Sequence, residues 1–415
     1  MSGSFHRTSE PWGYLPFFRS QPQILSFGLL LTLFSSFGQT FLISVFVPQF
    51  LTTFALDTAQ FGTLYAAATL ASAACLPYFG RLLDRVPLRR FTLAVGLGLA
   101  LSCLALALAP NVVVLFAALL GLRLTGQGLL TLTASTTMAR LFVSGRGRAL
   151  SLSGLGYPLG EGIFPLGVVF LVHGVGWRLS WTILGAVIVL VLLPAIAWLL
   201  REVPANSGPA PDDHLGPPGN FALLRDGRFY ALLPGNLFLP LVLTALFLYQ
   251  MPLAESRGWT TQMMATGFIG FAGARMVASL LIGPWIDRYG ALCLFPFILL
   301  PLCAGLVILA LGSAPWVALL YLTLAGVSQG IAGPTMTSLW AEIYGVESLG
   351  ATKGTVATVG VFATALGPVL LGGLLKVGVS FSLIIVGCAG LGLLAVGVSF
   401  LVRWRLGGVS VEVPA

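Results

Sequence analysis

Residues 80–85 read GRLLDR, and residues 283–288 read GPWIDR, 203 positions further along the chain. Each stretch places a glycine and an Asp-Arg pair at the end of a long apolar segment. The same polar residues at the same place in two distant segments indicate an internal duplication, which membrane proteins show as weak sequence symmetry between two halves.

Further matches follow in the same order and at nearly the same offset. TGQG at 125–128 corresponds to VSQG at 327–330, and FPLG at 164–167 lies over GPVL at 367–370. Residues 201–220, REVPANSGPAPDDHLGPPGN, form a long polar stretch rich in Pro and Gly, which is typical of a linker. We therefore expect an N-terminal segment at 1–23, a first half at 24–200, a linker at 201–228, a second half at 229–402 and a tail at 403–415.

The composition excludes a soluble protein. Of the 415 residues 57% are hydrophobic and 8% are charged, whereas soluble domains carry about 25% charged residues. The apolar runs are continuous and long enough to cross a bilayer as helices, without the alternation of a membrane strand. We predict an all-α integral membrane protein with twelve transmembrane helices in two six-helix repeats, at about 24–50, 59–80, 91–109, 112–140, 149–172, 177–200, 229–253, 261–286, 291–312, 315–340, 350–375 and 379–402.

The net charge of +8 is distributed unevenly between the two ends of these helices. The side that holds the termini has fifteen arginines, and the other side has only Arg178, Arg257 and Lys376. This is the positive-inside pattern, so both termini are expected in the cytoplasm and nucleic acid is not an expected partner. The fifteen are Arg7, Arg19, Arg81, Arg85, Arg89, Arg90, Arg140, Arg146, Arg148, Arg201, Arg225, Arg228, Arg288, Arg403 and Arg405.

With these motifs the whole chain resembles the major facilitator superfamily of the bacterial type. Residues 80–85, followed by Arg89-Arg90, resemble the family motif between spans 2 and 3, although Pro87 stands where the family usually has glycine. Arg123 with residues 126–128 resembles the fourth-span motif, and residues 367–373 resemble the glycine/proline motif of the fifth span. The resemblance implies an inner-membrane transporter that alternates access by rocking its halves. It also implies a cytoplasmic gate formed by Gly80, Asp84, Arg85, Arg140, Asp287 and Arg288, with Arg140 a partner for Asp84.

Three charged residues near the middle of the predicted spans break the repeat. Arg123, Glu161 and Arg275 correspond to Gly326, Thr364 and Ser72, so none is duplicated. At 1.5 Å per residue they lie roughly 17, 18 and 21 Å inside their spans. A charge at that depth costs about 2.5–3.5 kcal/mol or more on insertion scales, and it normally faces the interior of the bundle.

The sequence does not determine which residues pair with these three charges. Arg123 and Glu161 lie at similar depth on consecutive spans and can form a structural ion pair, whereas Arg275 has no obvious acidic partner. Two cations against one anion favour a carboxylate-bearing ligand, held by the planar donors of an arginine. Burial favours the protonated form of Glu161 and a nearby arginine favours its ionised form, which is the chemistry of proton coupling.

Other polar side chains are secondary candidates for the substrate and proton pathway. Tyr157 shares a helix face with Glu161, Gln127 shares one with Arg123, and Gln39 lies near the middle of span 1. Tyr249 near the end of span 7 is either an interfacial anchor or a substrate contact. His173 is expected at the membrane interface.

The leading functional hypothesis is a secondary active transporter of a small organic anion, coupled to protons or to an exchanged anion. The alternative is a proton-driven efflux antiporter for drugs or metabolites, and a transporter-like receptor is a third class. We see no Walker A sequence, no paired catalytic carboxylates and no metal-ligand spacing, so we expect neither an enzyme nor a cofactor. The expected partners are the bilayer, a small-molecule substrate and the coupling ion, with a monomer as the default state.

Overall fold

The structure is a computed structural model that describes residues 14–142, 146–201, 223–345 and 349–407. These residues form helices joined by short turns, and no strand occurs among them. The predicted all-α class is therefore confirmed. Most of the predicted N-terminal segment, linker and tail lies outside the described residues.

The first half contains a short helix before span 1, a segmented span 1, and long helices for the spans that follow. Its helices are Tyr14–Ser20, Pro22–Phe34, Ser35–Gly38, Thr40–Ile43, Ser44–Phe46, Val47–Thr53, Thr58–Arg85, Leu88–Ala107, Val112–Leu122, Arg123–Leu130, Thr131–Leu141, Arg146–Gly154, Gly156–Val187, Ile188–Leu192 and Leu193–Leu199. The second half contains Leu223–Arg225, Gly227–Leu248, Gln250–Ser256, Thr261–Tyr289, Ala291–Leu294, Phe295–Phe297, Leu300–Leu311, Pro315–Tyr344, Leu349–Lys376 and Phe381–Gly407.

The described helices provide for twelve membrane crossings. Ten helices are long and apolar enough to cross, and the bent pair Pro22–Gly38 and Thr40–Thr53 adds an eleventh. One of the ten, Arg148–Leu199, has 52 residues, which at 1.5 Å each is more than twice the hydrocarbon thickness of about 30 Å. It is interrupted at Gly176, whose φ of 78° and ψ of 165° are not helical. Spans 5 and 6 therefore meet at this glycine and not across a longer loop.

We name the two ends of the bundle by the course of the chain. The terminal face is the end at which span 1 begins and span 12 ends, and the distal face is the opposite end. Side chains fix where helices begin at both faces. Asp57 and Gln60 form a reciprocal capping box at the distal start of span 2, with bonds of 2.8 and 2.9 Å. Asn111 caps span 4 through the amide of Val114 at 3.0 Å, which confirms the tight break predicted at Pro110-Asn111.

Two arginines at the distal face satisfy the last carbonyl groups of repeat-related helices. Arg178 donates to the carbonyl oxygens of Ala107 and Ala109 at the end of span 3, at 2.8 and 3.0 Å. Arg257 donates to those of Leu309 and Gly312 at the end of span 9, at 3.1 and 2.9 Å. Cations stabilise helix C-termini because the carbonyl groups there lack partners. Arg178 and Arg257 therefore stabilise the ends of spans 3 and 9.

The two halves meet along two pairs of long helices. Span 2 packs along span 11, and span 5 packs along span 8. The distal segments of span 1 also contact span 7. This arrangement brings the middle of span 5 and the middle of span 8, each with a charged side chain, to the boundary between the halves.

Candidate functional site

Glu161 of span 5 and Arg275 of span 8 form an ion pair across the boundary between the two halves. Nη1 of Arg275 donates to Oε1 of Glu161. Glu161 is buried, and the Arg275 side chain is 24% exposed. The expectation that Arg275 lacks an acidic partner is therefore wrong, and the carboxylate binds this arginine and not Arg123.

The carboxylate has a second oxygen that the ion pair leaves free. Oε2 of Glu161 is buried and has no hydrogen-bond partner among the described residues. A buried polar oxygen without a partner is costly, so such groups mark places where water, a ligand or a proton is accommodated. Tyr157, one helical turn away, lies within electrostatic range of both Glu161 and Arg275.

Arg123 occupies a separate buried site within the first half. It is 3% exposed, and its Nη1 donates to the carbonyl oxygen of Gly38 at 3.2 Å and contacts the hydroxyl of Thr40 at 3.5 Å. The guanidinium lies 5.1 Å from the centre of the Tyr65 ring. Nε has no hydrogen-bond partner and no carboxylate pairs with this residue among the described part of the chain. Arg123 is thus the central cation without an anion.

The backbone around Arg123 is irregular on both contacting spans. Span 1 leaves the helical conformation at Gln39, where φ is −83° and ψ is 151°. Opposite this break, Arg123–Leu130 winds as a π-helical turn, a feature frequent at functional sites. Gly126 makes the contact possible, because a methyl group there would lie 2.7 Å from the amide nitrogen of Gly38. Broken helices supply backbone groups to binding sites at the middle of transporter bundles.

The remaining predicted residues of the central site flank these two clusters. Gln39 follows Gly38 at the break and is half-buried, and Gln127 lies in the π-helical turn and is also half-buried. Arg123, Gln39 and Gln127 are thus brought to one place, while Glu161, Arg275 and Tyr157 form a second. The structure does not place Arg123 in contact with Glu161.

A cluster of four phenylalanines closes the centre toward the distal face. Phe41 of span 1 contacts Phe268 of span 8 across the boundary, with ring centres 6.0 Å apart. Phe247 contacts Phe268 and Phe271 at 5.0 and 5.3 Å. Phe268 lies seven residues before Arg275 on the same helix, which is about 10 Å nearer the distal face. These rings therefore separate the ion pair from the distal end of the boundary.

A set of hydrogen bonds, which we call the distal latch, joins the halves beyond the phenylalanines. The Tyr249 hydroxyl donates to the carbonyl oxygen of Thr58 at 2.5 Å, and the Thr58 hydroxyl donates to the carbonyl oxygen of Gly372 at 3.3 Å. Gln250 donates to the Ser44 hydroxyl at 2.6 Å. Tyr249 is thus buried at the contact between the halves and is not an interfacial anchor.

An ion pair at the surface completes the latch. Nζ of Lys376, at the end of span 11, lies 3.1 Å from Oδ2 of Asp57, at the start of span 2. The backbone hydrogen bond from Gln60 and the bond from Lys376 hold the pKa of Asp57 below its ordinary value. Asp57 therefore caps its own helix and binds the opposite half at the same time. The sequence signal for this role was weak, because Asp57 and Lys376 are ordinary surface charges at helix ends.

The predicted gate at the terminal face is described only in part. A methyl group on Gly80 would lie 3.7 Å from the Leu132 side chain, which is an ordinary contact distance. Arg85 and Arg288 are exposed, and the guanidinium of Arg288 lies 5.2 Å from the centre of the Tyr289 ring. The side chains of Asp84 and Asp287 lie outside the described part, and so does the predicted pairing of Arg140 with Asp84.

Comparisons with known proteins agree with this architecture. The model of the Major Facilitator Superfamily matches residues 29–276 and 248–412. Among solved structures, the chain is similar to a bacterial homolog of the human lysosomal transporter Spinster in an inward-facing, unoccupied conformation, with a TM-score of 0.72, 17% identity, and coverage of 95% of this chain and 98% of that one. It is also similar to the nucleoside transporter NupG, with a TM-score of 0.66, 16% identity, and coverage of 94% and 98%.

No curated protein matches the sequence. At these identities the similar structures establish the fold alone. The family match, however, covers residues 29–412 almost end to end, and the duplicated motifs of the sequence are consistent with it. The chain therefore belongs to the major facilitator superfamily, and it is a multi-pass secondary transporter and not an enzyme.

Proposed function

We propose that the protein moves a small organic anion together with a proton, and that Glu161 and Arg275 couple the two. One observation carries this proposal: the ion pair between these residues joins the two halves that must move relative to each other during alternating access. An ion pair in that place controls both binding and movement.

Competition for Arg275 provides the coupling. While Glu161 is ionised, it occupies the donors of Arg275 and keeps an anionic substrate away. When Glu161 takes up a proton, the guanidinium is released and can bind a substrate carboxylate through its planar fork of donors. Binding of the anion and of the proton therefore support each other, and neither is favoured alone.

The free oxygen of Glu161 and the position of Tyr157 support this mechanism. Oε2 can receive the proton without first breaking a hydrogen bond, because it has no partner among the described residues. Tyr157 is close enough to interact with either member of the pair.

Arg123 supports the choice of an anionic substrate. With Glu161 and Arg275 neutralising each other, Arg123 leaves one uncompensated positive charge near the centre. An uncompensated charge in a low-dielectric region attracts ligands of the opposite sign. We propose that Arg123, Gln39 and Gln127 line the first-half side of the pathway, and that the positive terminal face is cytoplasmic.

Proteoliposomes with a trapped pH dye test this mechanism. Monocarboxylates, dicarboxylates, a nucleoside and lipophilic cations are added in turn to the wild type, Glu161→Gln, Arg275→Ala and Arg275→Lys. We expect proton influx with a carboxylate in the wild type. Glu161→Gln should exchange the carboxylate without moving protons, since it mimics the protonated state permanently.

Arg275→Ala should weaken carboxylate binding by about 10- to 100-fold, because a hydrogen bond to a charged group contributes roughly 1.5–3 kcal/mol. Arg405→Lys is the matched control, since Arg405 is an exposed arginine at the end of span 12, outside the site and the motifs. Wild-type transport by both Arg275 variants would refute the role of the ion pair. Proton efflux driven by lipophilic cations would instead identify a drug antiporter.

A further inference from the structure

The distal face contains a second cavity that the transport mechanism does not use. It has a volume of about 570 Å³ and lies between the halves, outside the phenylalanine cluster. Its polar lining includes Gln49, His173, Glu255, Thr260 and Gln262, with Trp259 beside them. His173 lies twelve residues beyond Glu161 on the same helix, so the cavity is about 18 Å from the central ion pair.

Three polar side chains of this cavity offer acceptors. Nδ1 of His173 is bound to the carbonyl oxygen of Val169 at 2.7 Å, which leaves Nε2 as an acceptor in the neutral ring. Oε1 of Gln49 is buried and has no partner among the described residues. Glu255 is exposed and belongs to no ion pair in the described part of the chain.

The cations of the distal face are committed elsewhere. Arg178 and Arg257 bind the carbonyl ends of spans 3 and 9, and Lys376 binds Asp57. The charge of the Glu255 carboxylate is therefore not neutralised by a direct contact, although Arg257 is only two residues away. The described side chains that line the cavity include one carboxylate and no lysine or arginine, and the start of span 8 at Thr261 opposes this negative charge with roughly half a positive charge.

We propose that this cavity binds a small organic cation with an ammonium group. The Glu255 carboxylate supplies the charge, Gln49 and His173 supply acceptors, and the Trp259 ring supplies an aromatic wall of the kind that favours ammonium groups. The chemistry is opposite in sign to the central site, so this ligand is distinct from the transported anion.

Occupancy of the cavity has a consequence for the conformation. Gln49 and His173 belong to the first half, and Glu255 and Trp259 belong to the second. When the halves rock apart at the distal face, these walls separate and the site is lost. A ligand that binds one conformation shifts the population toward it, so the cation holds the distal face closed.

Binding of radiolabelled ethylammonium, whose N–H groups can donate to the acceptors of the cavity, to the purified protein in nanodiscs at constant ionic strength tests the proposal. We expect saturable binding to the wild type, and binding about two- to fivefold weaker in Glu255→Gln, because one exposed charge is removed. Ser256→Ala is the matched control, since its hydroxyl bonds to the carbonyl oxygen of Leu253 at 2.7 Å and does not line the cavity. Folding of each variant is checked by its melting temperature.

Spin labels at Thr52 and Leu383, on opposite halves near the distal face, provide a second measurement. Ethylammonium should increase the population with the short distance in the wild type and not in Glu255→Gln. The proposal would be overturned if the cation did not bind, if Glu255→Gln bound it as tightly as the wild type, or if the cation increased the population with the long distance between the spin labels. Preferential binding of acetate would also overturn it, and would show that the positive charge at the start of span 8 makes the cavity an anion site.

Discussion

The Tyr249 hydroxyl binds the carbonyl oxygen of Thr58 at 2.5 Å, and this bond joins span 7 of one half to span 2 of the other. The same hydroxyl lies close to two glycines, because a methyl group on Gly372 would be 2.6 Å from it and Gly62 leaves even less room. The tyrosine of the distal latch therefore fits only because Gly62 and Gly372 have no side chains.

Replacing Tyr249 by Phe should favour opening of the distal face. The ring still fills its buried place, but the hydrogen bond across the boundary is lost, which is worth about 0.5–1.5 kcal/mol. We expect faster labelling of a cysteine introduced at Phe268, which lies below the latch, with a membrane-impermeant thiol reagent. Tyr230→Phe, an exposed tyrosine outside the latch, is the control. Unchanged labelling would show that the hydroxyl does not contribute to closure.

The Asp57 carboxylate, which accepts the backbone hydrogen bond from Gln60 and pairs with Lys376, should make stability depend on pH in the acidic range. The pKa of Asp57 is lowered from its ordinary 3.8 in the folded protein. A lowered pKa means that the ionised group stabilises the fold above the unfolded value, and that this contribution disappears as pH falls through the folded value. The melting temperature of Asp57→Asn should therefore be below that of the wild type at about pH 6, and the two should converge toward about pH 3.

Asparagine retains the helix cap, so this comparison isolates the charge. Adding Lys376→Met to Asp57→Asn should cause little further change, because the partner of the lysine is already neutral. A difference between wild type and Asp57→Asn that stays constant down to the lowest pH would contradict the role of the ion pair.

Replacing Gly126 by Ala should damage both stability and transport. Its methyl group would lie 2.7 Å from the amide nitrogen of Gly38, so the break in span 1 and the π-helical turn of span 4 must separate. Overpacking of this kind costs roughly 1–3 kcal/mol. Gly167→Ala is the matched control, because nothing lies within 4 Å of a methyl group at that glycine. Equal melting temperatures of the two variants would show that the close contact is dispensable.

Replacing Arg123 by Met should reduce stability by removing the donor to the Gly38 carbonyl group. The lost hydrogen bond is worth about 1.5–3 kcal/mol, but removing a buried charge that has no anion offsets part of this loss, so a net decrease of about 1 kcal/mol or less is expected. If Arg123 also attracts the substrate, carboxylate binding should weaken in Arg123→Met while proton binding by Glu161 persists. Denaturation in detergent measures the change in stability, and isothermal titration calorimetry measures carboxylate binding. A variant that is stable and binds normally would exclude both roles.

The fold could be predicted because its signals repeat. Twelve apolar runs, the duplicated Asp-Arg motifs and the arginines of the terminal face each constrain the topology independently. The capped break at Asn111 was visible as a Pro-Asn pair between two apolar runs. Spans 5 and 6 could not be separated as sharply, since one glycine with positive φ, Gly176, replaces a polar loop.

The partners in the central site could not be predicted from depth alone. Arg123 and Arg275 lie at similar depths, and depth does not determine the direction in which a helix face points. The small residues beside Glu161 and Arg275 did carry a signal that spans 5 and 8 are neighbours. Gly162 follows Glu161, Ala272 lies one turn before Arg275, and a methyl group on Gly162 would be 3.5 Å from Cβ of Ala272. Small residues allow close helix contact in lipid, and they favoured spans 5 and 8 as neighbours.

The break at Gly38-Gln39 was also invisible in the sequence, because SSFGQT lies within an otherwise continuous apolar run. The irregular backbone there is stabilised by a contact with a distant residue, Arg123. Local propensity carries no information about such a partner.

In the proposed mechanism, the ion pair between Glu161 and Arg275 also determines which energy source can drive the carrier. The empty site is a carboxylate beside a guanidinium, and the loaded site is a neutral acid, a guanidinium and a bound monoanion, so both have the same total charge. Moving either form is electroneutral. A membrane voltage, worth about 2.3 kcal/mol per charge at 100 mV, then leaves monoanion transport unchanged, and the pH gradient alone supplies the work. A dianion carried by the same site would move one net charge, and its transport would respond to voltage.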